Sequence, residues 1–332
     1  MSNEPWAKPW SERKLKRSEV HYACDHLKAL LGLPPKKFLL KTVLRPLLYT
    51  TFLLPLKKSD VEYLPVGGKI GQPNGEWVTP TAPEKTSIAR KKSSKTILYF
   101  HGGAFCINRP KFYRSLTFPL ARTTGCRVFT PVYRLSPEHR FPAAIEDCVA
   151  SYDMLLQSGV APRDIVFAGD SAGGNLVCST MLYLLKGSRL PLPGAGVALS
   201  PWLDLEGLLC ASRTFNKTRD LLLPAGCGYP EIVSWYADKE QLHDPLVSPL
   251  YATPETLSQF PPMHFEVSGT EMLLDDARIL HQKLQEASAG NRPEKYTIFV
   301  EPNEPHGWQL FGDAYDVAME SFHRIATFVN GL

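Results

Sequence analysis

Ser171 stands in the stretch IVFAGDSAGGNL (165–176), with Gly169 two residues before it and Gly173 two residues after. A G-x-S-x-G spacing between an apolar strand and a helix is the pattern of a nucleophilic serine. The chain turns so sharply at the serine that a Cβ two positions away on either side would clash. The turn holds the hydroxyl exposed at the carboxyl end of the strand, and the following helix aims its first amides at developing negative charge. The chemistry is acyl transfer. Its tetrahedral oxyanion needs about two preorganised N–H donors near 3 Å, and HGGAF (101–105) ends a second apolar run. Gly102 and Gly103 are expected to supply amides on one side and Ala172 on the other. The general base must follow the last strand and reach back to the serine. Of nine histidines, His306 lies beyond the run YTIFV (296–300) and the short loop EPNEP (301–305). His101 is expected to shape the oxyanion loop. The side chain of Asp170 should point away from Ser171 and serve a structural role, while Asp204, Asp220 and Asp244 are expected to fix loops or cap contacts.

The elements that must position these residues can be read from the hydrophobic pattern. Short apolar runs occur at 96–100, 127–133, 164–168, 195–199, 264–267 and 296–300. Between them, 141–158, 173–186 and 274–287 read as helices. Strands alternating with helices predict an α/β protein with a mainly parallel sheet covered on both faces. The interval 201–261 breaks the rhythm: it carries no such strand, has a predicted helix near 229–237, and with 1–55 is long enough to build a cap.

HGGAF together with GDSAGG resembles the hormone-sensitive-lipase group of α/β-hydrolases, which includes bacterial carboxylesterases, arylacetamide deacetylase and fungal steryl acetyl hydrolases. The likeness continues through PVYRLSPE (131–138), FPA (141–143), SPWLD (200–204), SPL (248–250) and PHGW (305–308), covering about residues 95–312. It implies an α/β-hydrolase fold: a mostly parallel sheet of about eight strands flanked by helices, with a helical cap. The core would be 56–204 and 245–332, with cap segments at 1–55 and 205–244. His306 matches the group's histidine. The group usually places Asp-x-Leu-x-Asp after the preceding strand; here GTEMLLDD (269–276) puts Glu271 at the matching position, with Asp275 and Asp276 as alternatives. The group also carries a third glycine where Ala104 stands. A methyl there should leave the amides intact and narrow the acyl or alcohol side.

Composition bounds the remaining classes. With 332 residues, 44% hydrophobic and 21% charged, the chain is ordinary globular material large enough for a substantial core. A net charge of +4, without a concentrated patch, excludes a nucleic-acid partner. The basic runs 13–17 and 90–92 read as solvated faces or loop ends. Seven cysteines without C-x-x-C or metal-ligand spacing argue against a disulfide framework and for a reducing compartment. The first residues lack the apolar core of a secretory signal, so a cytoplasmic location is expected. The stretch 38–56 is apolar with Lys41 and Arg45 one turn apart and Pro46 interrupting it, which suits an amphipathic element at a pocket or membrane surface better than a spanning helix. No cofactor or metal is indicated; a homodimer is compatible with the pattern. The expected activity is hydrolysis of hydrophobic, short-acyl esters through an acyl-enzyme on Ser171. Amide hydrolysis and acyl transfer use the same residues and are the alternatives. A non-catalytic binding protein on this scaffold, like the plant gibberellin receptors, is disfavoured because those resemble the group without its histidine.

Overall fold

Four apolar runs become strands in which every residue is buried: β3 (Thr96–Phe100), β5 (Ile165–Asp170), β6 (Ala195–Leu199) and β7 (Met263–Ser268). Burial on both faces is the signature of a parallel sheet sandwiched between helices. The structure is a computed structural model that describes residues 14–31, 61–66, 73–80, 94–223, 229–288 and 293–332. With β1 (Val61–Val66), β2 (Asn74–Pro80), β4 (Arg127–Val132) and β8 (Tyr296–Glu301), the strands form one eight-stranded sheet in the order β1-β2-β4-β3-β5-β6-β7-β8. β1 and β2 run antiparallel at one edge, and β3 to β8 are all parallel.

The helices close both faces. Near the N-terminus lies α1 (Arg17–Leu31), followed by α2 (Arg114–Thr124), α3 (Ala143–Gln157) and α4 (Ala172–Leu185). Between β6 and β7 come α5 (Ser212–Phe215), α6 (Tyr229–Tyr236) and α7 (Pro254–Leu257), and then α8 (Leu274–Ala287) and α9 (Asp316–Asn330). One core joins the sheet to α3, α4 and α8 through Ile145, Leu155, Leu176, Met181, Leu280 and Leu284. The other lies beneath α2 and α9, with Leu116, Leu120, Phe322 and Ile325, and reaches Val20 and Cys24 of α1. The six cysteines among the described residues are all buried.

The expected strands and the helix over 274–287 are present, and among the described residues the interval 201–261 contains helices and turns only. The basic run at 14–17 lies on a solvated face as expected: Lys14, Lys16 and Arg17 are exposed, with Lys14 Nζ 2.6 Å from Asp316 and an Arg17 guanidinium nitrogen 2.6 Å from Glu304. The stretch 38–56, with its expected membrane-surface contact, and the run 90–92 lie outside the described residues. Among the described residues no helix is long and apolar enough to cross a membrane.

The strand order positions the site. After β3 the chain goes to one side (β4), then returns to the other side (β5), so the loops leaving β3 and β5 diverge and leave a crevice at their carboxyl ends, where α/β sheets bind ligands. Phe100 pairs with Gly169, which brings the loop beginning at His101 against the turn at Ser171. At the other edge of the crevice Ser268 pairs with Glu301, setting the turns after β7 and β8 side by side. Close backbone approach seals this arrangement. A Cβ on Gly169 would lie 2.5 Å from the Gly173 carbonyl oxygen, and one on Gly173 would fall on the Phe100 carbonyl oxygen. Gly173→Ala should therefore destabilise by about 2–3 kcal/mol through overpacking, measured as a lower urea midpoint at unchanged slope.

Candidate active site

Ser171 follows β5 and caps α4 with φ 54° and ψ −120°, a positive-φ conformation rare for a residue with a side chain. Its backbone is over-determined: the Ser171 amide donates to the Leu199 carbonyl (2.9 Å), and its carbonyl accepts from Asn175 (3.0 Å) and Trp202 (3.1 Å). A Cβ on Gly174 would meet Pro201 at 2.8 Å, so α4 and the turn after β6 also depend on a bare backbone. These contacts hold the strained residue in place and leave its side chain half-buried at the crevice.

The turn after β7 and the loop after β8 bring Glu271 and His306 together. His306 Nδ1 is 2.7 Å from Glu271 Oε2, and both side chains are buried. The other carboxylate oxygen, Oε1, accepts from the Ser268 amide (2.6 Å) and the Ser200 hydroxyl (2.8 Å). Both acceptor sites of Glu271 are thus used, and the second faces the imidazole. Burial alone would depress the His306 pKa, but the hydrogen bond and charge of Glu271, with the charges of Asp220 and Asp170, carry it above the ordinary 6.5. Asp275 and Asp276 point elsewhere: Asp275 accepts the Ser212 amide (2.7 Å), and Asp276 accepts from the Leu203 and Asp204 amides and from Arg213. The Ser171 hydroxyl closes no hydrogen bond to His306 among the described residues, a contact that commonly tightens only with substrate.

Asp170 behaves as a structural anchor. Its Oδ1 accepts from the Tyr99 hydroxyl and the Gly102 amide, and its Oδ2 from the Tyr113 hydroxyl, each at 2.9 Å. The bond to Gly102 corrects one expectation. An amide already given to a buried carboxylate cannot also serve an oxyanion, so Gly102 positions the loop and does not face the substrate. The amides of Gly103 and Ala104 donate to no acceptor among the described residues. Ala172, as the first residue of α4, likewise has no intrahelical partner for its N–H. The loop is forced into this shape by consecutive left-handed residues, Gly103 (φ 115°), Ala104 (φ 51°) and Phe105 (φ 60°). His101 braces it from below: its Nδ1 lies 2.8 Å from the Gly102 carbonyl oxygen, and its ring stacks on Tyr133 at 4.2 Å. Burial lowers the His101 pKa to about 4, which keeps the ring neutral.

The interval between β6 and β7 meets the same loop. Tyr236 of α6 stacks on Phe105 with centroids 3.8 Å apart, and the Phe141 amide donates to the Tyr236 carbonyl. Trp235 packs on Cys106. Asp204 and Asp244 fix their own loops, accepting the amides of Gly207 and Leu209 and of Leu246 respectively. Sequence reasoning missed Ser200 and Ser268, which hold Glu271, and Glu304, which braces the histidine loop. Glu304 accepts from the Tyr315 hydroxyl (2.6 Å) and pairs with Arg17, while its amide donates to Ser268 Oγ (3.0 Å).

A nucleophile elbow at a sheet crevice, a carboxylate–imidazole pair and a loop of free amides define the site of an α/β-hydrolase. A family model described as the alpha/beta hydrolase fold matches residues 97–310. The chain is 37% identical over 244 residues to an acetyl-hydrolase of Streptomyces hygroscopicus, covering 73% of this chain and 74% of that protein. It is 30% identical over 306 residues to an esterase of an Acinetobacter venetianus strain, covering 92% and 94% of the two chains. An esterase crystal structure from the bacterial hormone-sensitive-lipase family superposes with a TM-score of 0.79 at 31% identity, covering 96% of this chain and 99% of that one. The chain belongs to the hormone-sensitive-lipase group of α/β-hydrolases and is a carboxylic ester hydrolase.

Asp170→Asn should separate structure from chemistry. An amide cannot accept all three of these bonds, and a buried donor left unsatisfied costs about 1–3 kcal/mol. Stability should fall by that amount in denaturant titration, while Ser171 remains open to labelling by a fluorophosphonate.

Proposed function

We propose that the protein hydrolyses hydrophobic, short-acyl carboxylic esters through an acyl-enzyme on Ser171, with Glu271 and His306 completing the triad. The 2.7 Å contact between His306 Nδ1 and Glu271 is the observation that carries the reading, because it fixes the imidazole with Nε2 as the nitrogen left for the serine proton. Ser171 Oγ attacks the ester carbonyl as His306 Nε2 takes the hydroxyl proton. The amides of Gly103, Ala104 and Ala172 hold the resulting oxyanion. Collapse expels the alcohol, which leaves with the proton from His306, and the acyl group stays on Ser171. Water then attacks the acyl carbon with His306 as base, and the carboxylic acid departs.

The hydrophobic preference is supported by the partly exposed apolar side chains of Ala104, Ile107 and Phe141 in and beside the oxyanion loop, where Phe141 packs on the buried ring of Tyr236 and Tyr236 on that of Phe105. A short acyl group is supported by the partly exposed Ala104 methyl in that loop and by the acetyl-hydrolase among the similar proteins.

On p-nitrophenyl esters from acetate to palmitate, kcat/KM should peak at the short chains. Ser171→Ala should lower kcat by at least about a thousandfold; retention of activity in that variant would sink the nucleophile assignment. Paired ester and anilide substrates with the same acyl group should show the ester strongly preferred. The pH profile follows from His306. As general base it must be neutral, so kcat/KM should rise with pH through an apparent pKa above the ordinary 6.5 of a free imidazole. Glu271→Gln should move that limb to lower pH. The same raised pKa gives the folded state stability that is present below 6.5 and lost as pH rises through the folded value.

A further inference from the structure

The turn that carries Glu271 is gripped from outside the sheet. Segment 212–220, in the interval between β6 and β7, sends three buried side chains onto it. The Ser212 hydroxyl donates to the Met272 carbonyl (2.7 Å) and accepts the Asp275 amide (3.0 Å). Asn216 Nδ2 donates to the carbonyls of Gly269 (3.1 Å) and Glu271 (2.9 Å). Asp220 Oδ2 accepts the Met272 amide at 2.7 Å, while its Oδ1 accepts the amides of Leu222 (2.9 Å) and Leu223 (2.8 Å).

These bonds bracket one residue. Asn216 fixes the Glu271 carbonyl and the carbonyl two positions earlier; Asp220 fixes the amide immediately after. The Glu271 backbone is therefore held on both sides while Ser200 and Ser268 hold its Oε1. Glutamate has one more rotatable bond than aspartate, so a Glu at this position gains most from such restraint. Asp220 also brings charge. Its carboxyl is raised by burial and by the neighbouring Glu271 charge, and its negative charge acts on His306 together with those of Glu271 and Asp170.

We propose that Asn216 and Asp220 are positioning residues for the triad acid. They keep the Glu271 carboxylate on His306 Nδ1, and Asp220 adds a further buried negative charge to the field that steadies the imidazolium. The proposal rests on the hydrolase reading above. It makes the buried side chains of Asn216 and Asp220, which lie between β6 and β7, part of the support of the site.

The test compares wild type with Asp220→Asn, Asn216→Ala and, as a control on the same segment, the exposed Lys217→Ala. Steady-state kinetics on p-nitrophenyl acetate are combined with proton NMR of the downfield His306 Nδ1–H signal. A small displacement of a catalytic group can cost up to about a hundredfold, so Asp220→Asn and Asn216→Ala should each lower kcat by roughly ten- to a hundredfold with KM little changed. Asp220→Asn should in addition shift the acid limb of kcat/KM to lower pH, because it removes a negative charge near the imidazole. In both variants the Nδ1–H signal should move or broaden, whereas Lys217→Ala should match wild type. Folded variants with wild-type kcat, an unmoved acid limb and an unchanged signal would overturn the proposal. If Asp220→Asn proves unfolded, Asn216→Ala and Asn216→Ser decide by the same readouts. Wild type that is inert toward esters and fluorophosphonates would instead refute the hydrolase reading. The Nδ1–H signal would then still report whether the clamp holds Glu271 on His306.

Discussion

Everything in this structure depends on a serine held where serines do not settle by themselves. Ser171 lies at φ 54°, and only the absence of side chains at Gly169, Gly173 and Gly174 lets β3, β5 and the start of α4 close around it. Strain of this kind persists because the surroundings leave no alternative. The apolar strands supply that rigidity: β3, β5 and β6 are buried throughout, so the turn they carry has a fixed base. The site is expensive in backbone conformation and cheap in special residues.

Around that turn the polar groups are arranged as two separate supports. On one side Asp170 gathers Tyr99, Tyr113 and the Gly102 amide and so shapes the loop whose next amides are free. On the other, Ser200, Ser268, Asn216 and Asp220 converge on Glu271 and the turn bearing it. The two supports come from opposite ends of the crevice and meet only at the reacting centre. Buried polar networks stabilise when every member is satisfied, and these networks are satisfied largely by backbone groups of the loops they hold.

Much of this was legible in the sequence. The buried parallel strands announce themselves as continuous apolar runs, and the helix at 274–287 has clear periodicity. The strands β1 and β2 are harder to see because Pro65, Gly75 and Pro80 interrupt them and an antiparallel edge does not need a continuous apolar run. The glycine spacing fixes Ser171, and chain order after the last strand fixes His306. Glu271 is visible only through resemblance, because no local pattern says which of several acids after β7 faces inward. The Gly102 assignment failed for an instructive reason. A sequence shows that an amide exists, but not that a carboxylate nearly seventy residues away has already claimed it. The clamp at 212–220 was hidden in the same way, since Asn216 and Asp220 look like ordinary loop residues until the turn they hold is placed beside them.

The order of the site residues along the chain has a consequence for biosynthesis. The nucleophile turn and its oxyanion loop belong to the first half of the sheet, whereas the acid and the imidazole lie beyond β7 and β8. A growing chain can therefore pack β3, β4, β5 and α4 while its serine still lacks a base, and an unassisted serine hydroxyl is a feeble nucleophile. Under the proposed triad, the serine gains its base only when the last strands join the sheet and His306 is set beside Glu271. With the proposed triad, esterase turnover requires both halves of the sheet, so its appearance during refolding reports completion of the fold.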